Sequence, residues 1–207
     1  MNFTLENKFQ TTGAAIILAG GKSTRMGRDK ALLTIKDRPL LTHVCTVAQN
    51  CFNRVYVVTP WVTKYRELVP ANIRFIEETI ILANRKSNCP LIGFYQGLQQ
   101  IDAEWILLLA CDLPKLNSEA INNWCEQLAE VSVEEIALLP RDKKGWQPLS
   151  GFYRRSCLPD LKTYLDNGGK SFQNWLAQYP VKELVVSDRY ILFNCNTWED
   201  WLSVNPS

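Results

Sequence analysis

Apolar residues recur along the chain in two periods. Ala14–Ala19 is an unbroken apolar run that ends in glycines, which predicts a strand buried on both faces. Val55–Thr59, Ile73–Ile76, Trp105–Ala110 and Ile136–Pro140 have the same short, β-branched or leucine-rich character. Between them, Arg38–Phe52, Gly93–Ile101 and Asn117–Glu130 place apolar residues at helical spacing, the last with Asn117 or Ser118 positioned as a cap. Strand and helix in alternation predict an α/β chain: a single-domain, Rossmann-like, three-layer α/β/α fold with a mostly parallel central sheet. The last third is more mixed. Gln147–Tyr153 reads as a strand, Cys157–Leu165 and Ser171–Gln178 as helices, Val181–Val186 and Tyr190–Phe193 as strands, and Thr197–Leu202 as a final helix. No internal repeat or linker interrupts this pattern. It predicts one domain over residues 13–207 behind a disordered leader at 1–12, which lacks the apolar core of a signal peptide.

Composition narrows the function. The 207 residues are 46% apolar, enough for a core without crosslinks, and the net charge is +2. That near-neutral balance argues against a nucleic-acid binder. No apolar run approaches the ~20 residues that cross a bilayer, so no membrane partner is expected. The seven cysteines are odd in number, form no C-x-x-C pair and lie in apolar stretches. Reduced, buried thiols and a cytoplasmic location follow, rather than disulfides or zinc. There is a single histidine, His43, in a helical stretch where packing or surface exposure is expected, and no Ser-His-Asp pattern for acyl chemistry.

Two polar clusters stand where strands end, the place at which open parallel sheets bind ligands. The first is Leu18-Ala19-Gly20-Gly21-Lys22-Ser23-Thr24-Arg25-Met26-Gly27-Arg28-Asp29-Lys30. Its glycines allow a sharp turn whose N–H groups face an anion, and Lys22, Arg25, Arg28 and Lys30 add positive charge. This describes a polyphosphate cradle. It is not a Walker A loop, because Ile16 stands where the first glycine is required before Gly21-Lys22-Ser23, and Tyr164 does so before Gly169-Lys170-Ser171. It is not a G-x-G-x-x-G loop either, since Gly20 and Gly21 are adjacent. The second cluster is Cys111-Asp112-Leu113-Pro114, which closes the leucine-rich strand with one carboxylate. A nucleotide-bound Mg²⁺ takes only one or two protein carboxylates, and Asp112 suits that task; a turn or helix-cap role is the alternative.

The segment LAGGKSTRMGRDKALL resembles the signature of the nucleotidyltransferases, and its L-A-G-G…R-M-G-x-D-K-A-L-L form is most similar to the molybdenum cofactor guanylyltransferases. C-D-x-P, Asn88–Gly93, Gln147-Pro148-Leu149 and Asn194-x-Asn196-Thr197 add to the resemblance. It implies Leu18, Ala19, Gly20, Gly21, Lys22, Lys30, Glu78 and Asp112 as GTP-binding residues, and Arg25, Lys30 and Asp112 as catalytic ones. It also implies Mg²⁺ on Asp112, guanine recognition by Glu78, and Gln147, Asn194 and Asn196 on the pterin side. Read without the family, Glu78 is a solvated loop charge and Asn196 is the cap of the last helix. Thr59 departs from the family's usual Asn, and Cys89 from its Gly. The implied substrates are GTP and molybdopterin, with molybdenum-insertion proteins or apo-molybdoenzymes as partners. A phosphate monoester with a second pKa near ~6 is already a nucleophile at neutral pH, so the chemistry needs no general base. Use of CTP or another nucleotide, and a GTP-binding regulatory module without chemistry, are the rival readings.

Overall fold

The computed structural model describes residues 11–21, 27–35, 37–79 and 89–204. Among these residues seven strands form one sheet: β1 (Ala14–Leu18), β4 (Val55–Thr59), β5 (Arg74–Glu77), β6 (Trp105–Ala110), β7 (Ala137–Leu139), β10 (Ser150–Arg154) and β11 (Val181–Glu183), in the order β11-β7-β10-β6-β1-β4-β5. All neighbours run parallel except β10, which is antiparallel to both β6 and β7. Two hairpins lie outside this sheet, β2 (Thr34–Ile35) with β3 (Arg38–Pro39), and β8 (Arg141–Asp142) with β9 (Gly145–Trp146).

The sheet is covered on both faces, which explains the unbroken apolar runs. Ala15, Ile17, Leu107 and Leu109 face α1 (Leu40–Cys51) and α4 (Ser118–Glu126) through Leu41, Val44, Ile121 and Trp124. Ala14, Ile16, Ile106 and Leu108 face α3 (Pro90–Gln99), α5 (Leu158–Asp166) and α6 (Phe172–Leu176) through Leu91, Phe94, Leu161 and Trp175. A short α2 (Val62–Tyr65) follows β4, and α7 (Trp198–Val204) ends the described chain. The three-layer arrangement expected from the alternation is therefore present. Asn117 caps α4 as expected, its side chain accepting from the Ala120 N–H at 2.9 Å.

Several boundaries differ for physical reasons. The first long helix starts at Leu40, not Arg38, because Pro39 biases Arg38 toward extended backbone and both join the hairpin that turns through Asp37 at φ 62°. The third helix begins earlier, at Pro90, a residue favoured in a first turn. The strand expected at Gln147–Tyr153 starts only at Ser150. Tyr190–Phe193 is not a strand. Arg189–Leu192 is a 3₁₀ turn nucleated by Asp188, whose side chain accepts from the Tyr190 N–H at 2.9 Å. Residues 1–10 of the expected leader lie outside the described residues; the carbonyl of Thr12 accepts from the Arg54 guanidinium at 2.6 Å.

Register sets the site. Leu18 pairs with Ala110 on one side and Val58 on the other, and Thr59 pairs with Glu77. The glycine loop, Asp112 and Glu78 therefore leave neighbouring strands at one edge of the sheet. Because β10 runs backwards, with Ser150 opposite Leu109, residues 147–149 enter at that same edge.

The antiparallel contact depends on Gly151. A Cβ there would lie 2.5 Å from the Leu138 carbonyl oxygen and 3.3 Å from the Leu139 Cα, both backbone atoms that cannot swing away. Gly151→Ala is expected to destabilise the protein by about 1–3 kcal/mol, the usual cost of overpacking, read as a lower denaturation midpoint at unchanged m-value.

Candidate functional site

Leu18, Ala19, Gly20, Gly21, Lys30, Glu78, Asp112, Gln147, Asn194 and Asn196 all line one cavity of about 400 Å³ at the carboxyl edge of the sheet. The volume is in the ~300–1,000 Å³ range of small-molecule sites. Lys22 and Arg25 lie outside the described residues. Arg28 is described, and its guanidinium sits over the Trp198 ring at 5.6 Å, on the last helix.

The charged centre joins three distant parts of the chain. Lys30 opens the 3₁₀ turn Lys30–Leu32, and its Nζ donates to Asp112 Oδ2 at 3.3 Å and to Asn196 Oδ1 at 2.6 Å. The side chains of Lys30 and Asp112 are 17% and 15% exposed, so the pair is shielded but still opens on the cavity. Burial pushes the Asp112 carboxyl above the usual carboxylate range, against the downward pull of Lys30. The carboxylate is thus only partly compensated by its lysine. Among the described residues no group of three His, Cys, Asp or Glu side chains could hold a metal alone. One carboxylate facing the cavity fits an ion whose remaining ligands are phosphate oxygens and water.

The C-terminal segment is tied down around this centre. The Cys195 N–H donates to the Asp112 carbonyl at 3.1 Å. Asp200 Oδ2 accepts from the Asn196 and Thr197 N–H groups, each at 2.8 Å, while Thr197 Oγ1 accepts from the Asp200 N–H at 3.1 Å. These backbone hydrogen bonds, led by the one from Asn196, hold the Asp200 carboxyl below its ordinary value. Thr197, not Asn196, therefore caps the last helix, and the Asn196 side chain is left to meet Lys30. Thr197-x-x-Asp200 has the spacing of a reciprocal capping pair, so this was readable in the sequence.

Glu78 is not a solvated loop charge. It follows β5, its N–H donates to the Thr59 carbonyl at 2.9 Å, and its carboxylate lies between Gly20 and Gly93. A Cβ on Gly93 would stand 3.5 Å from the Glu78 carboxyl carbon, and one on Gly20 would displace the carboxylate oxygen. Burial raises the Glu78 carboxyl above its usual range.

Some residues are organised differently from a bare sequence reading. Thr59 is fully buried; its Oγ1 donates to the Ala19 carbonyl at 2.8 Å and accepts from the Trp61 N–H at 3.1 Å, which fastens the start of the glycine loop. Cys89 is buried, and its thiol donates to the Lys170 carbonyl at 2.9 Å. Gln147 Nε2 donates to Asp142 Oδ2 at 2.5 Å, and Asn194 Nδ2 to the Leu192 carbonyl at 3.2 Å. His43 packs on α1 with Nε2 3.0 Å from the Leu116 carbonyl, as its position suggested. All seven cysteines are free thiols, six of them buried. Asp29 and Tyr65 also line the cavity, and neither was assigned a role from sequence.

Residues 15–182 match the MobA-like NTP transferase domain. A protein of Trichormus variabilis named "Probable molybdenum cofactor guanylyltransferase" is 50% identical over 93% of this chain and 95% of its own length. One of the same name from Synechococcus elongatus is 40% identical over 94% of this chain and 98% of its own length. Among solved structures, molybdopterin-guanine dinucleotide biosynthesis protein A from Archaeoglobus fulgidus superposes with a TM-score of 0.74 at 18% identity, over 93% of this chain and 96% of that one, a likeness of fold. The chain belongs to the MobA-like NTP transferase family, among its molybdenum cofactor guanylyltransferases.

Proposed function

We propose that this chain transfers GMP from GTP to the terminal phosphate of molybdopterin, forming molybdopterin guanine dinucleotide and pyrophosphate. The observation that carries this reading is the Lys30–Asp112 pair, one cation and one carboxylate 3.3 Å apart at a cavity also lined by Gly20 and Gly21. An acceptor phosphate oxygen attacks the α-phosphorus in line, the new P–O bond forms, and the bond to the bridging oxygen of the pyrophosphate breaks. The acceptor is already mostly dianionic at neutral pH, so no general base is needed. Lys30, with Lys22, Arg25 and loop N–H groups, holds the triphosphate and the departing pyrophosphate. Asp112 is the residue that would hold Mg²⁺, which would supply charge neutralisation at the α-phosphate. Gln147, Asn194 and Asn196 lie on the acceptor side. The free thiols support a cytoplasmic location, and among the described residues no helix is long and apolar enough to cross a membrane.

Guanine selection falls to Glu78, whose carboxylate can accept from the base N1–H and amino group. Mg²⁺-dependent pyrophosphate release with molybdopterin and each of GTP, CTP, ATP and UTP tests the assignment; preference for GTP is expected, and preference for CTP would replace it with cytidylyl transfer. Glu78→Gln is expected to raise the KM for GTP roughly tenfold to a hundredfold, the worth of hydrogen bonds to a charged group. The sign of the pH effect follows from burial. A carboxyl raised in the fold costs nothing below its unfolded value, where both states are neutral; the cost grows as pH rises from there and is complete above the folded value. Guanine needs the ionised form. In the wild type, kcat/KM for GTP should fall on acidification, and Glu78→Gln should remove the part of that fall that Glu78 contributes, leaving the parts set by Asp112 and the acceptor phosphate.

A further inference from the structure

The glycine loop leaves β1 at Ala19 and ends in the turn that carries Lys30. Both anchor points are fastened to one short stretch, residues 59–65, which runs from the end of β4 through α2. At the first, Thr59 Oγ1 donates to the Ala19 carbonyl. At the second, the Asp29 carboxylate is fully engaged: Oδ1 accepts from the Ala31 N–H at 3.1 Å, and Oδ2 accepts from the Tyr65 hydroxyl at 2.6 Å and from the Lys64 ammonium. Tyr65 is completely buried, packed edge-on against Trp61 with ring centroids 6.3 Å apart, and Lys64 lies 5.5 Å from the Tyr65 ring centroid. Burial, then the Asp29 hydrogen bond and charge, keep the Tyr65 phenol protonated far above neutral pH, so it is a permanent donor.

We infer that Asp29, held by Tyr65 and Lys64, is a positioning residue that sets the Lys30 amine against Asp112 for the transfer reaction. Asp29 Oδ1 closes the first turn of Lys30–Leu32 by capping Ala31, which fixes the backbone from which Lys30 projects. Tyr65 and Lys64 hold the other oxygen, so the carboxylate cannot rotate with the loop. The inference rests on Lys30 being the phosphate-side cation of the proposed reaction.

The test is a double-mutant cycle between Asp29 and Lys30, read by steady-state pyrophosphate release. Asp29→Ala is expected to lower kcat roughly tenfold to a hundredfold, the cost of about 1 Å of misplacement, with the half-saturating Mg²⁺ concentration unchanged. Tyr65→Phe, which removes one hydrogen bond and keeps the buried ring, is expected to lower kcat several-fold and serves where Asp29→Ala folds poorly. On a Lys30→Ala background both losses should vanish, because residues acting through one group do not add. Losses that persist in full on that background, or a raised Mg²⁺ requirement in Asp29→Ala, would overturn the positioning role while leaving the proposed reaction standing. Full turnover by Lys30→Ala alone would overturn both.

Discussion

Asp112→Ala is expected to lower turnover about a thousandfold, equivalent to about 4 kcal/mol of lost transition-state stabilisation, while leaving the protein folded. The fold should survive because the hydrogen bond that docks the C-terminal segment uses the Asp112 carbonyl, not its side chain. Lys30 keeps Asn196 as a partner at 2.6 Å, so no buried cation is stranded. Removal of the carboxylate even relieves a desolvation cost, given that burial already pushes this carboxyl upward. Asp112→Asn sharpens the result. It retains an oxygen that Lys30 can donate to but loses the charge, so it should be nearly as inactive as Asp112→Ala. Steady-state rates over a range of Mg²⁺, beside thermal unfolding of each variant, check this. Near-normal rates in either folded variant would remove Asp112 from the chemistry.

Lys30→Ala carries the second large effect, a fall of roughly a hundredfold to a thousandfold in kcat, the usual cost of removing one preorganised donor from a developing negative charge. Here the structural consequence is different. Asp112 is left without its lysine in a site where both side chains are more than four-fifths covered, so some loss of stability accompanies the loss of rate. Lys30→Arg separates the two. It restores a positive charge to Asp112 but not the compact ammonium that fits between Asp112 and Asn196, so stability should recover more than turnover. Equal recovery of both would mean that Lys30 supplies charge alone.

What could be read from the sequence, and what could not, divides by distance along the chain. β1 and β6 were legible because strands covered on both faces lose their polar alternation, and Gly20 and Asp112 each follow two residues after a strand end. That these two ends are adjacent is a matter of strand order, Leu18 beside Ala110, which no local pattern encodes. The burial of Glu78 was hidden for the same reason: its slot is made by Gly20 from one loop and Gly93 from a helix. The role of Asp29 was hidden because its partner Tyr65 is 36 residues away, on a one-turn helix with too few residues to show a period. Tyr190–Phe193 was misread because four apolar residues fit a short strand or a 3₁₀ turn equally, and Asp188 decided between them.

The central claim is that one triphosphate and its divalent ion lie between the lysine of the glycine loop and the aspartate of the middle strand. A crystal structure with Mn²⁺ and a non-hydrolysable GTP analogue, with the metal located by anomalous scattering, measures this directly. The account predicts a metal peak about 2 Å from an Asp112 carboxylate oxygen, with Lys30 Nζ within ~3 Å of a phosphate oxygen. A triphosphate bound elsewhere, or a metal peak with no contact to Asp112, would contradict it.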